Sequence, residues 1–191
     1  MRGKKGFTLI EMVVVLAVVA ILAAILVPTI EKNILDAKIA RANNEVQVLG
    51  AAMASFYKDV GIWPSYSTFN TTQVDFIYSN NGSAGTDGSG YQWWSGATNG
   101  YDTFENQLIS NAPGYTACAA TTSENCWKGP YIAEVKADPW GHKYSSNVKD
   151  ATGSNAMWVW CAGPDGEADT NSTQTQASAS LGDDDIGVRL R

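Results

Sequence analysis

The chain has 191 residues, a hydrophobic fraction of 45% and a formal net charge of −6 at pH 7, a length that suits one membrane-anchored helix with one compact domain rather than two full domains. Its dense basic cluster is Arg2, Lys4 and Lys5, and loss of these three residues would carry the formal charge from −6 to −9. Phosphate contacts need Lys and Arg, and a chain in which acidic residues outnumber them 19 to 13 is a poor nucleic-acid binder, so that class is set aside.

Residues 12 to 27 (MVVVLAVVAILAAILV) form an unbroken apolar run, and positions 7 to 30 are apolar apart from Thr8, Glu11 and Thr29. At about 1.5 Å per residue, a helix over this stretch crosses a ~30 Å hydrocarbon core. The basic leader would stay cytoplasmic and everything after the run would be exported. A cleaved secretory signal has the same basic-then-apolar layout. Here, however, no small-residue cleavage region follows, because Pro28-Thr29-Ile30 leads into another helical pattern. Glu11 also opposes that reading, since a disposable signal has no use for a carboxylate. An acid within a membrane segment costs roughly 2.5–3.5 kcal/mol on insertion scales and reads as functional, with a partner to be named. The plainer alternative is a first-turn Glu at the positive end of the helix dipole.

The segment KKGFTLIE, with Gly6 before Phe7 and Glu11 four residues further on, resembles the processing motif of type IV prepilins and type II secretion pseudopilins. The resemblance implies a cut by a prepilin peptidase between Gly6 and Phe7 and N-methylation of Phe7. It also implies pairing of Glu11 with the new amine of a neighbouring subunit, which supplies the ammonium that a carboxylate in lipid needs. Thr8 falls in register with the same motif, and Pro28 matches the depth at which the family's proline kinks or locally melts the helix.

From Leu35 the pattern becomes striped. Leu35, Ile39, Ala42, Val46, Leu49, Met53, Phe56 and Val60 recur at steps of four and three, so they share one helix face that packs on the chain's own head. Gly61 and Pro64 supply stop signals. The expected helix runs from about Phe7 to Val60, roughly 80 Å at the standard rise. The chain then divides into a leader at 1–6, a membrane-spanning segment at 7–30, an amphipathic half at 31–63 and a globular head at 64–191.

Residues 65 to 100 are rich in Ser, Asn, Gly and aromatics without a sustained period, which predicts a surface excursion with little regular structure. Trp93 and Trp94 would pin it to the domain. Asp102 and Glu105 have capping-box spacing and open a short helix through Ser110. Three cysteines are an odd number. In an exported head a Cys118–Cys126 disulfide with Cys161 as a free buried thiol is the favoured arrangement, and three reduced thiols is the alternative. The stretches 127–132 and 138–144 read as two short strands and 156–161 (AMWVWC) as a third. These predict an α+β fold in which a small three-stranded antiparallel sheet lies on the helix stripe. The WKGPY and DPWG-Y stretches, together with the helix up to Trp63-Pro64, resemble the major pseudopilin of type II secretion. Residues of about 66–100 then look like an insertion.

The end of the chain is acidic. Ala162-Gly163-Pro164-Asp165-Gly166 is followed by a Ser/Thr/Gln/Ala-rich span containing Glu167 and Asp169, then by Gly182-Asp183-Asp184-Asp185-Ile186. Crowded carboxylates want solvent or a cation, and by charge alone a solvated acidic tail is favoured. An EF-hand is excluded, because glycine directly follows Asp165. The resemblance changes the weighting, since the pseudopilin head carries a calcium-binding loop of the form AGxDG…DxDI. Carried over by position, it implies a Ca²⁺ site in the loop 162–187 with Asp165, Asp183, Asp185 and the Ala162 carbonyl as ligands, and Asp169 and Asp184 as further candidates. Among extracellular modules such sites are weak and structural.

No enzyme is expected. His142 is the sole histidine, so a Ser-His-Asp, Cys-His or zinc arrangement would have to use it, and it sits in a Trp-Gly-His-Lys surface turn. The resemblance implies a structural subunit of a type II secretion pseudopilus at the bacterial inner membrane, with its head in the periplasm. That subunit would form a homopolymer and work with minor pseudopilins, an inner-membrane assembly platform and an outer-membrane secretin. The alternatives are a type IV pilus major pilin, serving adhesion or motility, and a minor pilin-like subunit.

Overall fold

A computed structural model describes residues 6–85, 100–119, 124–149, 155–171 and 174–191; positions 1–5 of the leader and Trp93 and Trp94 fall outside them. The chain forms two compact units, dividing between Lys38 and Ile39. One helix, α1 (Leu9–Val60), contributes to both.

In the first unit α1 is a run of Leu, Val, Ile and Ala, residues that either lose little rotamer freedom in a helix or gain from apolar surroundings. It is long and apolar enough to cross a membrane, and none of its apolar window is buried within the protein. The helix continues through Pro28, and the Thr29 hydroxyl donates to the Ile25 carbonyl at 3.2 Å.

The second unit starts on the helix stripe. Ala42, Val46, Leu49, Met53, Phe56 and Val60 are buried, and Ile39 packs against them. Leu35, expected to begin the stripe, is 40% exposed because it lies before the packed unit. Gly61 ends α1 with φ +81° while its N–H donates to Tyr57 O at 2.8 Å, a left-handed closure that costs least at glycine.

Among the described residues seven short strands follow: β1 (Tyr66–Thr68), β2 (Thr72–Gln73), β3 (Phe76–Tyr78), β4 (Tyr101–Thr103), β5 (Ser145–Ser146), β6 (Trp158–Cys161) and β7 (Ile186–Arg189). β1 and β2 form a hairpin, and the other five make one sheet in the order β4-β3-β5-β6-β7, with β3 and β4 parallel and the remaining pairs antiparallel. The fold is thus α+β with a sheet on the helix, but that sheet has five strands of mixed direction rather than three antiparallel ones. Of the three expected strands, only the last is present, as β6.

The stretch 127–132 is irregular and 138–144 contains a turn, each pairing only at an isolated bridge (Trp127 with Ala117, His142 with Ser83), and the reason is local. Pro130 and Pro139 bring no N–H to a ladder. The Asp138 carboxylate captures the N–H groups of Trp140 at 2.9 Å and His142 at 2.7 Å, curling the backbone away from extension. Residues 66–78, expected to lack regular structure, supply β1, β2 and β3, and Val74, Asp75, Ile77 and Ser79 are buried. The short helix after β4 is a π-helix, Asn106–Ser110. Its Asn106 N–H is taken by the Thr103 hydroxyl at 3.2 Å, while Asp102 is occupied by Asn106 and Gln107 side chains, so the capping-box pairing of Asp102 with Glu105 is not formed.

β6 is buried on both faces. Met157, Val159 and Cys161 join the helix core, whereas Trp158 and Trp160 belong to a second cluster with Ala156, against which Phe76, Ala179 and Leu181 pack. Alternation along a strand imposes this split. The outer face is therefore covered in part by the end of the acidic segment.

Candidate functional site: the N-terminal motif and an acidic loop

Gly6 and Phe7 are exposed and precede the first helical residue. Thr8 caps α1. The Thr8 N–H and hydroxyl both donate to Glu11 Oε2 at 2.8 Å, and the Glu11 N–H reaches Thr8 Oγ1 at 3.4 Å. This is a reciprocal capping box, in which the carboxylate satisfies an orphan donor of the first turn. The T-x-x-E spacing is present in the sequence and points to this pairing without help from any relative.

The acidic loop belongs to the second unit. It leaves β6 through a turn in which the Gly166 N–H donates to Ala162 O at 3.2 Å, and it returns to β7 through Gly182–Asp185. The two arms are tied together. Asp165 N–H donates to Asp184 Oδ2 at 3.2 Å, Thr170 N–H to Asp185 Oδ2 at 2.6 Å, and Gly182 N–H to Thr170 Oγ1 at 3.0 Å. Gly163 lies so close to the Asp184 carbonyl that any side chain there would collide with it.

This closure gathers one carboxylate oxygen each from Asp165, Asp169 and Asp184 within 4.8 Å of one another, the only such group among the described residues. Asp183 and Asp185 lie outside it. Asp185 turns one oxygen to Thr170, and its other oxygen, like Asp184 Oδ1, is buried without a hydrogen-bond partner. Burial pushes the Asp185 carboxyl up to about 6. The Asp184 carboxyl is raised too, first by burial and then by the neighbouring Asp165 and Asp183 charges. The gathered set is thus Asp165, Asp169 and Asp184, and of the carboxylates that the resemblance put first, Asp183 and Asp185 stand outside it.

The donor chemistry fits a hard divalent cation. Carboxylate oxygens on opposite sides of a Ca²⁺ ion, each at about 2.4 Å, stand about 4.8 Å apart, and two unpartnered buried carboxylate oxygens stand in the same loop. Elsewhere in the head Cys118 and Cys126 are joined by a disulfide, and Cys161 is free and buried.

Two family profiles match the chain. The prokaryotic N-terminal methylation motif matches residues 1–27, and type II secretion system protein G matches residues 112–179. Among curated proteins, the chain is 37% identical over 62 residues to the fimbrial protein EcpC of Eikenella corrodens, covering 32% of this chain and 40% of that one. It is 37% identical over 65 residues to the type IV major pilin PilE of Neisseria gonorrhoeae, covering 34% and 39%. It is also 37% identical over 90 residues to a fimbrial protein of Pseudomonas aeruginosa, covering 47% and 57%. The chain therefore spans between 39% and 57% of the length of these relatives. No solved structure matches it. The matched families and relatives are structural subunits rather than enzymes.

Proposed function

We propose that the chain is a pilin-like, membrane-anchored filament subunit and, within that group, a subunit of a type II secretion pseudopilus; the methylation motif at residues 1–27, the protein G match and the pilins among its relatives support this. The observation that carries this reading is the match of the head, residues 112–179, to protein G of that system. A type IV pilus pilin is the second reading, favoured by the fimbrial proteins and pilins among the relatives.

In this account the exposed, non-helical Gly6–Phe7 bond is open to a prepilin peptidase, and Phe7 becomes the methylated terminus. Glu11 then exchanges its bonds to Thr8 for the amine of a neighbouring copy, so the homopolymer grows through its helices. Neutralising a carboxylate in a water-poor filament core is what makes its presence there tolerable. The anchor stays in the inner membrane with the head in the periplasm, where minor pseudopilins, the assembly platform and the secretin would be its partners. The acidic loop holds Ca²⁺ through Asp165, Asp169 and Asp184, with Asp183, Asp185 and the Ala162 carbonyl close by in sequence. The ion would tie both arms of a loop that has no apolar repeat of its own.

The test is mass spectrometry of the protein from its own membranes, followed by comparison of wild type with Glu11→Lys. A chain starting at N-methylated Phe7, with filaments lost in the variant but membrane insertion kept, is expected. A mature protein still starting at Met1, or normal filaments from the variant, refutes the assembly account. Loss of secreted proteins on deletion marks a pseudopilus, and loss of surface fibres with secretion intact marks a pilus.

A further inference from the structure

His142 is expected from the sequence to be a surface-turn residue, yet its side chain is only 23% exposed. Its backbone is fixed by Asp138, whose own side chain is fully buried. Asp138 Oδ1 accepts from the His142 N–H at 2.7 Å, and the Asp138 N–H donates to His142 O at 2.9 Å. So anchored, the imidazole lies directly against Gly166: a methyl group at that position would fall 2.6 Å from His142 Cε1 and 2.8 Å from Nε2. Gly166 has φ +78° and closes the turn onto Ala162. The residue before it is Asp165, one of the three gathered carboxylates. The imidazole Nδ1 is buried without a hydrogen bond and stands 3.8 Å from Asp138 Oδ2, itself buried, so Asp138 faces the ring as well as fixing its backbone.

We infer that His142 is a positioning residue for the acidic loop: its imidazole, braced by Asp138, is the wedge that fixes the Ala162–Gly166 turn and so sets how strongly the Asp165, Asp169 and Asp184 carboxylates bind a divalent cation. The inference rests on the calcium reading proposed above. His142 itself is no ligand in this account, because its ring touches the turn and is not among the gathered groups. The physical argument is pre-organisation. Three mutually repelling carboxylates converge on an ion at lower cost when the backbone carrying one of them cannot swing away. Residues that orient ligands from behind commonly change metal affinity by about 10–100-fold.

The test is calorimetric titration of CaCl₂ into the full-length protein in detergent, for wild type, His142→Ala, His142→Gln, Gly166→Ala and the His142→Ala/Gly166→Ala pair. Folding of each variant is checked by circular dichroism in EDTA. His142→Ala should weaken binding about 10-fold or more, and His142→Gln, of similar reach, should restore most of the loss. Gly166→Ala should cost more affinity in the wild-type background than in the His142→Ala background, where the collision is gone. A generally destabilised head would show neither the rescue nor this coupling. Equal affinities for wild type and His142→Ala, or effects of the two sites that simply multiply, overturn the inference while leaving the calcium reading intact. A wild type that takes up no CaCl₂ overturns the calcium reading itself, and the role of His142 falls with it. Should His142→Ala fail to fold, Gly166→Ala is compared with wild type, and undiminished affinity in that variant is the overturning result.

Discussion

Reduction of the Cys118–Cys126 bridge should lower the melting temperature of the head by about 5–10 °C. The cysteines are separated by 8 positions, and the chain-entropy account of a loop that short gives about 2.5 kcal/mol of stabilisation through the unfolded state. For a domain of this size each kcal/mol is worth about 2–4 °C. The bridge is also well placed to matter in the native state. The Cys126 N–H donates to Asp59 O at 2.9 Å in the last turn of α1, and Lys128 Nζ reaches Asp59 Oδ1 at 3.2 Å, so the bridged loop clamps the end of the helix on which the head is built. The assay is differential scanning calorimetry of the detergent-solubilised protein with and without a phosphine reductant, with thiols counted by mass spectrometry after alkylation. Full reduction with an unchanged melting curve would refute the reasoning. A loss near the expected size would also agree with a head that folds in an oxidising compartment.

Other outcomes follow from the same packing. Phe56→Ala should cost about 3–5 kcal/mol in chemical denaturation, because the ring is fully buried and meets Tyr115 and Tyr131 edge-on at 4.8 and 5.5 Å between centroids; a cost below about 1 kcal/mol would mean the core is not as described. Cys161 should resist iodoacetamide at pH 8 in the folded protein and react once unfolded, since burial pushes its thiol up to about 12 and keeps it neutral; rapid labelling of the native state would contradict this. If Kd lies in the 10⁻⁴–10⁻³ M range of extracellular modules, 10 mM Ca²⁺ should stabilise the head by about 1.4–2.7 kcal/mol over EDTA. Identical melting with calcium and with chelator would remove the ion from the account.

The sequence is most legible where one residue type repeats at a fixed period or stands in a fixed register. The apolar run and the stripe from Ile39 to Val60 announce α1, because burial on one helix face leaves a mark every three or four positions. Apart from β6, the strands leave no such mark. β3 and β4 have three residues each and β5 has two, too few for an alternation to be seen, and β3 and β4 pair with each other across more than twenty intervening positions. The turn at 138–142 reads as a strand in sequence, since its aromatics and β-formers are visible there and the grip of the Asp138 side chain on two backbone N–H groups is not. The acidic loop is found by its carboxylates. Which three of them converge is decided by contacts no spacing rule contains, above all the hold of Asp185 on Thr170 that places it beside the set rather than within it.

The two-faced burial of β6 carries a consequence for how such a head can vary. Leu181 and Ala179 contribute nothing to charge, yet they roof the indoles of Trp158 and Trp160 from the same segment that brings Asp184 back toward Asp165. An exchange of Leu181 for a polar residue would wet that aromatic surface and loosen the carboxylates at one stroke. Tolerance to drift should therefore be lowest at an aliphatic position that a survey of ion ligands would pass over.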